Sequence, residues 1–267
     1  MKNDFKTITI TPGIVTTIRL NRPEVHNAMN DLMIAELTEA FKEVGNMEEV
    51  RLMVLRGNGK SFCAGADLNY MKRIAGYGYD ENKKDALKLA VLFKTIYDCP
   101  VPSLALVHGA AFGGANGLLA ACDIVIAEEN TTFSFSEVKL GIAPATIAPV
   151  VMKRIGENGA KELMLTGKRF KAKEAEKWHL VNHTVNESEM EEVFQKYIKE
   201  FITAAPGAVR ATKELIKKMT ETGEVSREVI EYTAGKIADL RASKEGQEGM
   251  AAFLEKRKAG WVKSFDK

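Results

Sequence analysis

One glutamate and two runs of small residues are the features of this chain whose types and spacing could do chemistry. The first run is Ser61-Phe62-Cys63-Ala64-Gly65-Ala66-Asp67-Leu68, and the second is His108-Gly109-Ala110-Ala111-Phe112-Gly113-Gly114-Ala115-Asn116-Gly117. The glutamate, Glu137, stands in Phe135-Ser136-Glu137-Val138-Lys139-Leu140-Gly141-Ile142-Ala143-Pro144. Glycine and alanine let main-chain N–H groups come close to an oxygen. Both runs read as following a strand and opening a helix, where unpaired N–H groups attract developing negative charge. Two such donors aimed at one oxygen make an oxyanion hole. A carboxyl among apolar neighbours has its pKa raised toward working pH, which suits it to carry a proton. Enolate stabilisation beside a carbonyl, with one acid/base, is the chemistry this equipment fits. Singly, each piece reads as an ordinary turn or a surface glutamate; the conjunction carries the argument.

Other chemistries lack their parts. No Gly-x-Ser-x-Gly elbow, phosphate loop or His-Glu-x-x-His pair is present. The four histidines, His26, His108, His179 and His183, are scattered, and His108 reads as a hydrogen-bonded structural residue. Trp178 and Trp261 read as packing residues. The three cysteines, Cys63, Cys99 and Cys122, have no Cys-x-x-Cys spacing, so no disulfide framework or metal site is expected, and a reduced, cytoplasmic setting is. With 38 Lys and Arg against 36 Asp and Glu, both signs interspersed, the charge argues against a nucleic-acid footprint. The opening residues lack the apolar run of a secretory leader. Val101 to Cys122 carries no formal charge, but its glycines, His108 and Asn116 read as strand, turn and helix rather than a membrane span.

The positioning elements can be read from hydrophobic spacing. Ile14–Leu20 and Val50–Leu55 read as strands. Asn30 reads as the cap of a helix with Met33, Leu37, Phe41 and Val44 on one face and Gly45 as its stop. Arg73–Lys84 reads as a mobile loop or short helix, followed by a helix with Ala86, Leu89, Ala90, Phe93 and Tyr97 on one face. Ser103–Val107 reads as a buried strand running into the Gly113-Gly114 turn, then a helix over Ala115–Cys122 and a strand over Asp123–Ala127. Amphipathic helices are expected at 147–155, 159–166, 172–178, 187–204, 206–220, 225–241 and 244–257. The strand, turn, helix order predicts an α/β core with its site on loops at strand ends. Residues 1–200 are assigned to this core. Residues 201–267 are assigned to a helical region that closes over it or docks on a neighbouring subunit.

The wording and order of the three segments resemble the crotonase family of enoyl-CoA hydratases and isomerases. The resemblance implies a spiral of ββα units with a helical C-terminal region, assembled as trimers or dimers of trimers. It implies that the N–H groups of Ala66 and Gly114 hold the thioester oxygen of an acyl-CoA and that Glu137 is the acid/base. Val25, Gly65, Ala66, Asp67, Leu68, Asn69 and Gly114 would line the coenzyme A and substrate channel. Phe253-Leu254-Glu255-Lys256-Arg257 resembles the family's C-terminal helix, which often reaches coenzyme A across subunits. Coenzyme A arrives with the substrate, and no further cofactor or metal is implied. One departure matters: the family's usual second glutamate falls at Gly117. Hydration of a 2-enoyl-CoA is the implied activity, with isomerisation by Glu137 alone, or acyl-CoA or RNA binding without turnover, as alternatives. The finer wording, including Gly141-Ile142-Ala143-Pro144-Ala145-Thr146, resembles bacterial methylglutaconyl-CoA hydratases.

Overall fold

The computed structural model describes residues 4–262. Strands β1 (Ile8–Thr11), β2 (Val15–Leu20), β3 (Leu52–Gly57), β4 (Ser103–Val107), β6 (Ile124–Glu128) and β9 (His183–Val185) form one sheet in the order β1-β2-β3-β4-β6-β9. Within this sheet, among the described residues, only the β1–β2 pair is antiparallel. Strands β5 (Ala110–Phe112), β7 (Thr132–Ser134) and β8 (Arg169–Lys171) form a second, smaller sheet in the order β5-β7-β8.

Parallel sheets need cover on both faces, and side chains alternate between the faces along each strand. Met53, Leu55, Ala105, Val107, Val125 and Ala127 point into the larger core, against Met33, Leu37 and Phe41 of α1 (Asp31–Gly45), Phe93 of α3 (Tyr79–Tyr97) and Leu118 of α4 (Gly114–Ala121). Their alternates Leu52, Val54, Leu104, Leu106 and Ile126 meet Met190, Phe194, Ile198 and Ile202 of α7 (Met190–Thr203). Those four recur every fourth residue, one stripe of an amphipathic helix. Residue 200, the expected boundary, lies inside α7, and Ile202 beyond it still packs on the sheet. The helices α8 (Pro206–Thr222), α9 (Arg227–Ala242) and α10 (Lys244–Leu254) follow; their fully buried residues are Val229 and Ala252 alone.

A repeat underlies this arrangement. A first strand joins the large sheet, a short second segment lies beside it, and a helix follows. In three successive repeats the second segments are residues around Cys63–Ala66, β5 and β7. They pair side by side through a bridge between Cys63 and Ala111 and the parallel β5–β7 ladder. A further bridge joins Met29 to Ala66. This is the expected α/β spiral of ββα units.

Several elements differ from expectation. Ser103–Val107 does not run straight into the glycine turn: Gly109, at φ +66°, turns the chain so that β5 enters the second sheet. A Cβ there would lie 2.0 Å from the Lys60 carbonyl oxygen, so only glycine fits. Residues 73–84 are mostly helical. α2 (Leu68–Ile74) ends there, and α3 begins at Tyr79, where Glu81 reaches back to the Gly78 N–H at 3.0 Å. The buried face of α3 is Leu92, Phe93 and Ile96, rotated from the expected one because α4 and α1 both press on it. The expected helices at 147–155 and 159–166, by contrast, are both present, as two helical segments of α5 (Ala148–Thr166) parted at Gly156, whose φ of +69° and ψ of 174° are not helical.

Replacing Ile198 by Ala should cost about 2–4 kcal/mol in urea unfolding, with an unchanged denaturant slope, because it empties the middle of the stripe holding α7 to the sheet.

Candidate active site

The repeat dictates where the two small-residue loops go. Being neighbouring segments of the second layer, they lie side by side: Cys63 N–H donates to the Ala110 carbonyl at 3.0 Å and Phe112 N–H donates to the Cys63 carbonyl at 3.1 Å. At Gly65, with φ +101°, a Cβ would stand 3.1 Å from the Phe112 carbonyl oxygen.

The direction of the Ala66 N–H follows from its neighbours. Met29 N–H donates to the Gly65 carbonyl at 2.7 Å, and Asp67 N–H donates to the Met29 carbonyl at 2.9 Å. In a parallel bridge the residue between those two bonds turns its own N–H the other way. Ala66 is exposed, and its N–H has no partner among the described residues. Gly114 is the first residue of α4, so its N–H has no intrahelical acceptor. Gly113 before it sits at φ +52° and donates to the Ser134 carbonyl at 2.9 Å. Met29 lies between the two loops: a Cβ at Gly114 would meet its Cε at 2.8 Å.

Glu137 comes to the same place through β7. It lies in the 3₁₀ turn Ser136–Leu140, immediately after β7, which pairs with β5. Its Oε1 stands 3.3 Å from where a Gly113 Cβ would be, so the carboxyl lies closely against the bare face of Gly113. Its other oxygen is buried without a partner. Burial pushes the Glu137 pKa up and outweighs the hydrogen bond from its own N–H. A carboxyl with a raised pKa beside two unpaired N–H groups can exchange a proton with a substrate whose oxygen those groups hold.

The remaining expected residues divide by what their side chains do. Val25 and Leu68 are exposed apolar groups, Leu68 at 74%, and Asn69, next to Leu68 in the chain, is exposed too. The Asp67 carboxylate is spent within the protein. Its Oδ1 caps α2 by accepting from Asn69 and Tyr70 N–H groups, and its Oδ2 accepts from Arg22 Nη2 at 2.8 Å. Cys63 is fully buried, and burial pushes its thiol up to about 12, which leaves it a neutral packing group. His108 Nε2 donates to the Gly59 carbonyl at 2.8 Å, a structural contact. Sequence spacing did not reveal Phe93 and Ile147. They close over Gly117, where a Cβ would meet Ile147 Cγ2 at 2.5 Å and the Phe93 ring at 2.6 Å. Both are buried. Asn116 is also buried, with its Nδ2 donating to the Ser134 carbonyl, away from any role as a substitute carboxylate.

Two predictions come from this geometry. A raised folded-state pKa means that Glu137 costs the fold stability as pH rises through that pKa, and costs nothing below the unfolded value of about 4.3. Glu137→Gln should therefore melt above the wild type at neutral pH, the gap narrowing toward pH 4; a gap independent of pH would contradict the burial. Gly117→Glu should destabilise by at least about 3 kcal/mol in denaturant titration, since the new carboxylate has only Phe93 and Ile147 to displace.

Residues 11–264 match the family model described as enoyl-CoA hydratase/isomerase. The chain is 32% identical to the short-chain-enoyl-CoA hydratase of Clostridium acetobutylicum, over 92% of this chain and 93% of that one. It is also 32% identical to the mevalonyl-coenzyme A hydratase sidH of Aspergillus fumigatus, over 94% and 92%. The crystal structure of an enoyl-CoA hydratase from Shewanella pealeana superposes with a TM-score of 0.93 at 36% identity, covering 97% of each chain. In sequence over nearly its whole length, and in the crotonase fold that its repeats build, this chain belongs to the enoyl-CoA hydratase/isomerase family.

Proposed function

We propose that the protein is an enoyl-CoA hydratase that uses one carboxyl group. The observation that carries this reading is the Glu137 carboxyl lodged against Gly113, beside the unpaired N–H of Gly114. The thioester oxygen sits on the N–H groups of Ala66 and Gly114, which withdraws electrons from the double bond. Glu137 takes a proton from water as the water oxygen bonds to C3, and the electron pair moves through C2 onto the thioester oxygen. The same carboxyl then gives its proton to C2 as the enolate collapses. Water is consumed and Glu137 ends as it began. Val25, Gly65, Asp67, Leu68 and Asn69 line the approach for coenzyme A, Asp67 through its main chain.

The family resemblance of the motif wording supports 3-methylglutaconyl-CoA as substrate, within leucine breakdown. Association into trimers, or dimers of trimers, is supported by the apolar residues left on the helical C-terminal region, among them Ile230, Phe253 and Leu254. A groove of about 640 Å³ between α1 and α3, with Leu87 and Val91 in its wall, offers an apolar surface for such contact. Three buried free thiols support a reduced, cytoplasmic setting. Among the described residues no helix is long and apolar enough to cross a membrane.

A second reading, double-bond isomerisation, is favoured by Gly117. With Phe93 and Ile147 packed there, no second carboxylate shares the water, and Glu137 alone can shuttle a proton between carbons.

The deciding experiment incubates the purified protein with 3-methylglutaconyl-CoA, and separately with crotonyl-CoA, in ¹⁸O-labelled water, with product masses recorded. Incorporation of one label with loss of the enoyl absorbance is expected, and Glu137→Gln should lower kcat by about 10²–10⁴-fold. A shifted double bond without label would replace hydration by isomerisation. Thioester binding without any product would leave an acyl-CoA-binding protein.

A further inference from the structure

Ala66 owes its orientation to very little. The bridge that turns its N–H outward consists of two hydrogen bonds to Met29 and is not part of any strand. One side chain spans it. Arg22 Nη1 donates to the Ala28 carbonyl at 2.6 Å, and Nη2 donates to Asp67 Oδ2 at 2.8 Å, so one guanidinium grips the residue before Met29 and the residue after Ala66. Arg22 is itself fixed, its N–H donating to Asn27 Oδ1 at 2.8 Å and its carbonyl accepting from the Val25 and Asn27 N–H groups. Asn27 in turn is fully buried and donates to the Asn58 and Ser61 carbonyls.

The same contact solves an electrostatic problem. Asp67 is 5% exposed and directly follows the residue whose N–H faces the substrate oxygen. A bare buried carboxylate one residue away, about 3.8 Å between Cα atoms, would repel negative charge developing on that oxygen. Burial opposes ionisation of Asp67, but the Tyr70 N–H, the Arg22 guanidinium and the Asn69 N–H outweigh it and hold the carboxyl below its ordinary value. Asp67 is thus ionised, and Arg22 is the cation that balances it. The planar fork, with two donors in fixed directions, is what lets one side chain serve both Ala28 and Asp67; an ammonium would serve as a point charge only.

We infer that Arg22 is a positioning residue of the oxyanion hole, holding the Ala66 N–H in register and cancelling the Asp67 charge beside it. The inference rests on the hydratase reading above for what the hole binds, but its role is tested apart from turnover. Arg22 touches no reacting atom.

The probe is acetoacetyl-CoA, whose enolate is seen by its near-ultraviolet absorbance, titrated into wild type, Arg22→Gln, Arg22→Lys, Asp67→Asn and the double variant Arg22→Gln/Asp67→Asn. Arg22→Gln should bind the thioester within about threefold of wild type and yet lose at least about tenfold in bound enolate, with kcat falling in parallel and KM little changed. The double variant should recover most of the enolate, since no lone carboxylate remains and asparagine still caps α2. Arg22→Lys should fall between. Unchanged enolate in Arg22→Gln would overturn the inference. So would a parallel loss of binding, enolate and melting temperature that the double variant fails to recover, because that pattern marks a purely structural arginine. A wild type that binds acetoacetyl-CoA without forming enolate removes the oxyanion hole, and with it the role given to Arg22. A wild type that binds no acyl-CoA at all rejects the hydratase reading itself.

Discussion

A main-chain N–H can stabilise an oxyanion only if no carbonyl of the protein has taken it first. Folded chains pair nearly all of theirs, so unpaired donors have to be built. Here they are built at two kinds of edge. Ala66 lies between two bonds that fix its neighbours and turn its own N–H outward, and Gly114 stands at the head of α4, where helical geometry leaves the N–H without an acceptor. Both depend on the second layer of the spiral, which sets the Cys63 segment beside β5 and β5 beside β7. The third rung of that layer delivers Glu137. One stacking of short segments thus brings donors and acid together.

That dependence explains which parts could be read from the chain. The α1 helix was legible because its signals are local: Asn30 caps it, accepting from Met33 N–H at 2.9 Å, and Met33, Leu37, Phe41 and Val44 repeat at helical spacing. The long C-terminal helices were legible for the same reason. The strands β5, β7 and β8, three residues each, show no period, and their pairing is decided by segments remote in sequence. The candidate site was legible as residue types, since small residues and a glutamate in apolar company are visible in the chain. Its surroundings were not. Nothing near Gly117 in sequence shows that Phe93 and Ile147 fill the space beside it, and nothing near Arg22 shows that the fold lays it across the Ala66 bridge.

The carboxyl groups of Asp67 and Glu137 have opposite fates, set by their hydrogen bonds. Asp67 has both oxygens satisfied by a guanidinium and helix N–H groups, so burial does not neutralise it. Glu137 keeps one oxygen bare, and burial then raises its pKa. Charge held still serves architecture, and a carboxyl left unsatisfied is the one free for the proton transfer proposed above. Partial burial of Glu137 is a stability cost, of the kind the proposed role at this position would trade for activity.

The packing at Gly117 also bears on how such a site can change over generations. A second carboxylate at this position is not one substitution away. A glutamate at position 117 collides with Phe93, which comes from α3, and Ile147, which precedes α5. Smaller residues at those two positions, made first, would open a cavity in the core while giving no new chemistry. Either order of change passes through a weakened protein, so the packing around Gly117 by itself keeps that position without a carboxylate.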